Sequence, residues 1–189
     1  MAGGADAVQL REKEETPAGR YAWGRRLQAL CRRLGVPLIV NDDLEVAVAL
    51  GAEGLHLGQE DLHPADARLL LGQERWIGWS THDLEQAEEA AETGADYAGF
   101  GPVFATGTKA GAGRPRGPQA LLAARAVARV PLLAIGGIRP GNAGLVPRGV
   151  GLAVSSALCA AEDPEAVARA LCASREPPSP HADPRGAGR

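Results

Sequence analysis

Short apolar runs alternate along this chain with longer stretches in which apolar residues recur at helical spacing. The runs at 7–10, 37–40, 54–57, 76–79, 97–100, 131–135 and 151–154 predict strands. Between them, 21–34 carries Leu27, Leu30, Cys31 and Leu34 at the spacing of one helix face. Helices are likewise predicted over 44–50, 64–71, 84–93, 117–127, 142–146 and 164–172. Pro64 and Pro164 suit the first turns of their helices, with His63 and Asp163 ahead of them as caps. Gly35, Gly51, Gly72 and Gly94 each follow a helical stretch and precede a strand, where a left-handed residue ends a helix. Strand and helix alternating in this way call for a parallel sheet with helices outside it. The repeated unit of helix, glycine, strand and polar loop is the grammar of a (β/α) barrel, here an α/β TIM barrel with seven visible strands.

Composition narrows the function. At 189 residues and 45% hydrophobic content, the chain has enough apolar surface for one core. The expected organisation is a barrel domain over 1–173 and a disordered tail rich in Pro, Gly and charge over 174–189. A net charge of −3 and 4% aromatic residues argue against nucleic acid as a partner. No apolar stretch approaches the roughly 18 residues of a membrane span, and no basic-then-apolar leader stands at the start. Cys31, Cys159 and Cys172 are odd in number, with neither metal nor disulfide spacing. They read as small buried hydrophobes in a reducing compartment, so the expected location is the cytoplasm.

Chemistry concentrates just after the strands, on the face where a parallel barrel carries its catalytic residues. The chain has two lysines, Lys13 and Lys109, among eighteen arginines, and both lie in such clusters. A compact ammonium suits a phosphate oxygen. Strand alternation puts Gln9, Arg11 and Lys13 on one side, which in a barrel is the interior. Asn41, Asp42 and Asp43 follow the second strand. Asp43 is the better cap for the next helix, which frees Asn41 and Asp42 for the mouth. Asp61 supplies a second carboxylate from the neighbouring strand. Two carboxylates facing Arg11, Lys13 and Lys109 make sense around Mg²⁺ and a diphosphate. His56 reads as a core residue rather than a metal ligand. Ser80 can hydrogen-bond a substrate ring, Thr81 or Asp83 caps the helix that follows, and His82 stands between helix start and rim. Thr106, Gly107, Thr108 and Lys109, with the small cationic residues after them, resemble a loop that closes over anions. Gly136 and Gly137 let a phosphate approach the backbone, and Ser155 and Ser156 add donors. Two anion sites at one mouth imply two phosphorylated substrates, one of them a diphosphate.

The segments QLREK, PLIVNDD, GLHLGQEDL, IGWSTH, ADYAGFGPVF-T-TK (ending at Thr106, Thr108 and Lys109), AIGGI and VSSAL, in that order and spacing, resemble the thiamine-phosphate synthase family over roughly residues 3–173. In that family's pattern the first strand seen here is the second of eight. The resemblance implies a (β/α)₈ barrel and a transferase of thiamine biosynthesis. Such an enzyme joins hydroxymethylpyrimidine diphosphate to hydroxyethylthiazole phosphate and releases pyrophosphate. It implies that Gln9, Arg11, Lys13 and Asn41 meet the pyrimidine diphosphate, that Lys109 holds it, and that Ser80 lies beside the ring. Asp42 and Asp61 would bind Mg²⁺. Thr106 and Thr108 would touch the thiazole, whose phosphate would sit on Gly137 and the Ser155–Ser156 backbone. Catalysis would rest on Arg11, Lys13, Ser80 and Lys109. The implied partners are the two small substrates, with no nucleic acid and no membrane; a homo-oligomer stays open. The alternatives are a thiazole tautomerase of the same fold, with an imidazole such as His82 moving the proton, and a non-catalytic phosphate-binding barrel fragment. The joint presence of Gln9, Arg11, Lys13, Asp42 and Asp61 favours the synthase.

Overall fold

The computed structural model describes residues 3–107 and 113–175. Seven strands form: β1 (Val8–Leu10), β2 (Leu38–Asn41), β3 (Gly54–Leu57), β4 (Trp76–Thr81), β5 (Tyr97–Phe100), β6 (Leu132–Ile135) and β7 (Gly151–Ala153). The helices are α1 (Pro17–Leu34), α2 (Leu44–Leu50), α3 (Pro64–Leu71), α4 (Leu84–Glu89), α5 (Gly117–Val127), α6 (Pro140–Ala143), α7 (Ser156–Cys159) and α8 (Pro164–Ala173). The strands pair in sequence order and every pairing is parallel, which is the TIM-barrel arrangement of an α/β chain. β1 and β7 are the two ends of the ladder. The sheet has nonetheless curled far enough for its ends to share a neighbour. Gly3 lies so close to α8 that a Cβ there would come within 2.5 Å of the Ala168 Cβ. The Cys172 thiol lies 3.4 Å from the Gly4 carbonyl oxygen, within donating distance.

Local chemistry fixes the element ends. Asp43, Asp83 and Asp163 accept the N–H groups of Val46, Gln86 and Ala166, and so cap α2, α4 and α8. Asp83 is thus the cap ahead of α4, whereas Thr81 is the last residue of β4, fully buried and donating to the Gly99 carbonyl. His63 caps α3 through Ala65 N–H. Gly35 and Gly51 close α1 and α2 in the left-handed region, at φ 65° and 62°.

Differences from the sequence pattern have local causes. α1 starts at Pro17 rather than 21, because Thr16 caps Gly19 N–H and Pro17 fills the first turn. α6 covers 140–143 rather than 142–146, because Asn142 accepts the Arg139 N–H and pulls the start back to Pro140. α4 stops at Glu89, four residues short of the periodic stretch, and the one-turn α7 carries too little periodicity to be foreseen. Ser174 and Arg175 follow α8, and Arg175 donates to the carbonyls of Val146, Pro147 and Val150. The rest of the tail lies outside the described residues.

The core is one cluster. Leu38, Val40, Leu55, Leu57, Ile77 and Phe100 from β2–β5 are essentially inaccessible, as is Leu121 from α5. Full burial of each such side chain contributes roughly 1.5–3 kcal/mol. The residues of β1 and β7 are exposed or half-buried, as befits the two edges. Among the described residues no helix is long and apolar enough to cross a membrane.

Candidate active site

Alternation along β1 is visible in its contacts. A Cβ on Gly24 of α1 would meet Leu10 Cδ2 at 3.2 Å, so Leu10 faces the helices and alternation turns Gln9 to the opposite face. Arg11 lies just past the end of β1, where it lines a cavity with Leu10, Trp23, Arg26 and Leu27 beside α1, so strand alternation does not carry it inward as the sequence pattern expects. Gln9 is in register with Ile39 and is exposed, because β1 is an edge. Beyond β1, Lys13 Nζ reaches Asp42 Oδ2 at 3.1 Å. Asp42 stands just past β2 at φ 64°, a left-handed conformation uncommon outside glycine. Its N–H donates to the His56 carbonyl at 2.8 Å, tying the end of β2 to β3.

Asp61 comes to the same place from the turn after β3, where its Oδ2 accepts the Gly58 N–H at 2.6 Å. Its carboxyl stands close enough to Asp42 for the two to interact electrostatically. Burial is the main cause of the raised Asp61 pKa. The Asp42 carboxylate adds to it, while the Gly58 N–H and the Lys13 charge oppose it. Lys13, Asp42 and Asp61 therefore form one cluster at the C-terminal ends of β1–β3, as the sequence pattern expects. Among the described residues no group of three or more His, Cys, Asp or Glu side chains could hold a metal by itself. Two carboxylates are what Mg²⁺ uses when substrate phosphates complete its shell.

Asn41 ends β2 in register with His56. His56 is buried, with its pKa lowered to about 4, chiefly by burial and against the opposing pull of Asp42, so the ring is neutral. Its Nε2 lies 2.9 Å from Ser80 Oγ on β4. The Ser80 carbonyl also accepts from Gln59 Nε2 at 2.7 Å. Ser80 is thus tied to β3 and to the turn that follows it. His82 Nδ1 lies 2.7 Å from the Gly101 carbonyl, which only accepts, so Nδ1 carries the ring proton.

The β5 and β6 loops pack on one another. Gly136 and Gly137 have φ of 88° and 66°. A Cβ on Gly137 would come within 2.3 Å of the Ala105 carbonyl oxygen, and one on Gly136 within 2.6 Å of Pro102 Cβ. The space these glycines leave is taken by the β5 loop, which gives both a packing reason to be glycine. Asn142 fixes the turn by donating to the Gly137 carbonyl at 2.9 Å. Thr106 sits on this β5 loop, while Thr108 and Lys109 lie outside the described residues. Ser155 and Ser156 lie at the start of α7, just past β7, and both are exposed.

A family model described as thiamine monophosphate synthase matches residues 1–158. This chain belongs to that family. It is 47% identical over 171 residues to the thiamine-phosphate synthase of Moorella thermoacetica, covering 89% of this chain and 81% of that one. The thiamine-phosphate synthase of Chlorobium luteolum is 46% identical over 171 residues, with the same two coverages. Among solved structures, thiamine phosphate pyrophosphorylase from Pyrococcus furiosus superposes with a TM-score of 0.84 at 36% identity, covering 92% of this chain and 84% of that one. The fold agrees with the barrel expected for a thiamine monophosphate synthase family member. Two features of the site were not legible beforehand. One is the His56–Ser80 contact, which joins residues 24 apart in the sequence. The other is the role of Asn142 in holding Gly137, for which the scarcity of asparagine was a faint signal.

Proposed function

We propose that this chain joins hydroxymethylpyrimidine diphosphate to hydroxyethylthiazole phosphate, giving thiamine phosphate and pyrophosphate. The observation that carries the reading is the Lys13–Asp42–Asp61 cluster, in which two carboxyls from neighbouring strand ends are held together beside an ammonium. Carboxyls forced together in this way answer to a cation. Asp42 and Asp61 would hold Mg²⁺ with the diphosphate oxygens of the substrate, and the ion when bound offsets charge developing on the leaving diphosphate.

The protein side of the chemistry is positioning and electrostatics. Gln9, Arg11, Lys13, Asn41 and Lys109 grip the diphosphate. Ser80, on the inner face of β4, orients the pyrimidine. Departure of the diphosphate leaves an electron-rich pyrimidinylmethyl cation, and the thiazole nitrogen adds to it. Thr106 and Thr108 contact the thiazole, and Gly137, Ser155 and Ser156 take its phosphate through backbone and hydroxyl donors. The substitution requires no protein nucleophile, since the attacking atom belongs to the second substrate.

The related isomerase chemistry would use Nε2 of His82 and would leave the carboxylate pair without a role. The test is release of pyrophosphate from the purified chain in Mg²⁺. Release that requires both substrates supports the transferase. Isomerisation of a thiazole phosphate with no pyrophosphate released would overturn it.

A further inference from the structure

The barrel interior holds a polar line separate from the carboxylate cluster. Tyr97 Oη lies 3.0 Å from His56 Nδ1, and His56 Nε2 lies 2.9 Å from Ser80 Oγ. The three side chains come from β5, β3 and β4. Gly78 makes their meeting possible. It is directly in register with His56 on one side and Tyr97 on the other. A Cβ there would come within 2.1 Å of Tyr97 Cζ and 2.4 Å of His56 Nδ1. The two rings therefore meet over a position that has no side chain, with centroids 5.5 Å apart. Gly99, in register with Ser80, leaves the other flank open to His56, whose Cε1 would lie 3.4 Å from a Cβ there.

A neutral imidazole has one N–H and one lone pair, so the line runs in one direction at a time. Either Tyr97 donates to Nδ1 and Nε2–H donates to Ser80, or Ser80 donates to Nε2 and Nδ1–H donates to Tyr97. In the first case the Ser80 hydrogen is left for a ring acceptor. In the second, its lone pairs are left for an amino group. A serine hydroxyl with no partner rotates freely, whereas this oxygen is held by Nε2, as acceptor in the first case and as donor in the second.

We propose that Tyr97 and His56 are positioning residues for the transferase, setting the direction of the Ser80 hydroxyl toward the aminopyrimidine ring. This rests on the reading of Ser80 as the pyrimidine contact. Tyr97 touches no substrate in this account and acts only through His56.

The test is steady-state kinetics of Tyr97→Phe, Ser80→Ala and the double variant, varying each substrate separately, with thermal melting as the check on folding. Tyr97→Phe removes one oxygen and keeps the ring. It is expected to lower kcat/KM for the pyrimidine diphosphate by roughly tenfold, the worth of one hydrogen bond, and to leave the KM for thiazole phosphate unchanged. The double variant is expected to match Ser80→Ala, because residues acting through one another are not additive. Ser80→Ala with unaltered pyrimidine kinetics would sink the assignment of Ser80. An impaired Ser80→Ala beside a fully active Tyr97→Phe, or a double variant at the product of the two single losses, would overturn the inference alone. If Tyr97→Phe melts below the assay temperature, His56→Gln carries the test, since its amide can still donate to Ser80. It is expected to outperform His56→Leu, and equal activity of the two would overturn the inference.

Discussion

Replacing Asp61 with asparagine separates a carboxylate that serves function from one that serves the fold. The amide in Asp61→Asn keeps an oxygen for the Gly58 N–H, which Asp61 now accepts at 2.6 Å, and removes one negative charge beside Asp42. Two unit charges about 4 Å apart cost roughly 1–4 kcal/mol between bulk water and a protein surface. Lys13, 3.1 Å from Asp42, and the Gly58 N–H offset much of this. Although its carboxyl is partly desolvated, Asp61 as a residue is exposed, and exposure governs how far water screens the pair, so a net relief of no more than about 1 kcal/mol remains. For a domain of this size that corresponds to a rise in Tm of at most about 4 °C. Metal-free Asp61→Asn should therefore melt at or slightly above the parent in EDTA. Its turnover at millimolar Mg²⁺ should fall by roughly 100-fold, near 2.7 kcal/mol of transition-state stabilisation, and recover in part as Mg²⁺ is raised. The assay is differential scanning fluorimetry in EDTA beside initial-rate kinetics across a Mg²⁺ series. A variant that melts several degrees lower yet turns over normally would show the carboxylate pair to be structural and refute this reasoning.

Other expectations follow from single contacts. Leu121→Ala, in a fully buried site, should cost about 2–5 kcal/mol in urea unfolding, whereas Leu69→Ala at 83% exposure should change stability by less than about 0.5 kcal/mol; equal losses would contradict the assigned core. Gly137→Ala meets the Ala105 carbonyl at 2.3 Å with φ at 66°. It should destabilise the fold by about 1–3 kcal/mol and weaken binding of thiazole phosphate by calorimetry; binding at the parent's affinity would sever Gly137 from that site. His56 titrates near 4 in the folded chain against 6.5 unfolded. Its contribution is thus complete above about pH 6.5 and is lost as pH falls toward 4, roughly 3 kcal/mol in all. Urea titrations at pH 7.5 and 4.5 should show this loss in the parent and little of it in His56→Gln. The raised Asp61 carboxyl acts in the opposite sense, favouring the fold below its own titration, so a parent stability that rose on acidification would contradict the assignment to His56.

Much of the scaffold was legible because its boundaries are chemical. At 44–50 and 64–71 a capping side chain, an apolar period and a closing glycine agree, and the helices fall at those positions. The strands at 54–57 and 97–100 likewise match their apolar runs. Where signals were short or conflicting the reading slipped, as in α6, where the Asn142 side chain outweighed apolar periodicity, and in α7, which is one turn long. The gathering of Lys13, Asp42 and Asp61 followed from parallel strand order alone. The left-handed backbone of Asp42 did not, since aspartate adopts that conformation more often than most residues but still only occasionally, and serves equally as a helix cap. The Tyr97–His56–Ser80 line joins residues 41 and 24 positions apart, which no local pattern reports. Its traces in the sequence are Gly78 and Gly99, glycines inside strands, which mark close approach of neighbouring groups.

The central claim is tested most directly by formation of thiamine phosphate from the two substrates in Mg²⁺, in EDTA, and in EDTA with Mg²⁺ restored. The account expects product with Mg²⁺, none in EDTA, and recovery on restoration. A folded chain that forms no product in Mg²⁺, or one whose product is undiminished in EDTA, would contradict it.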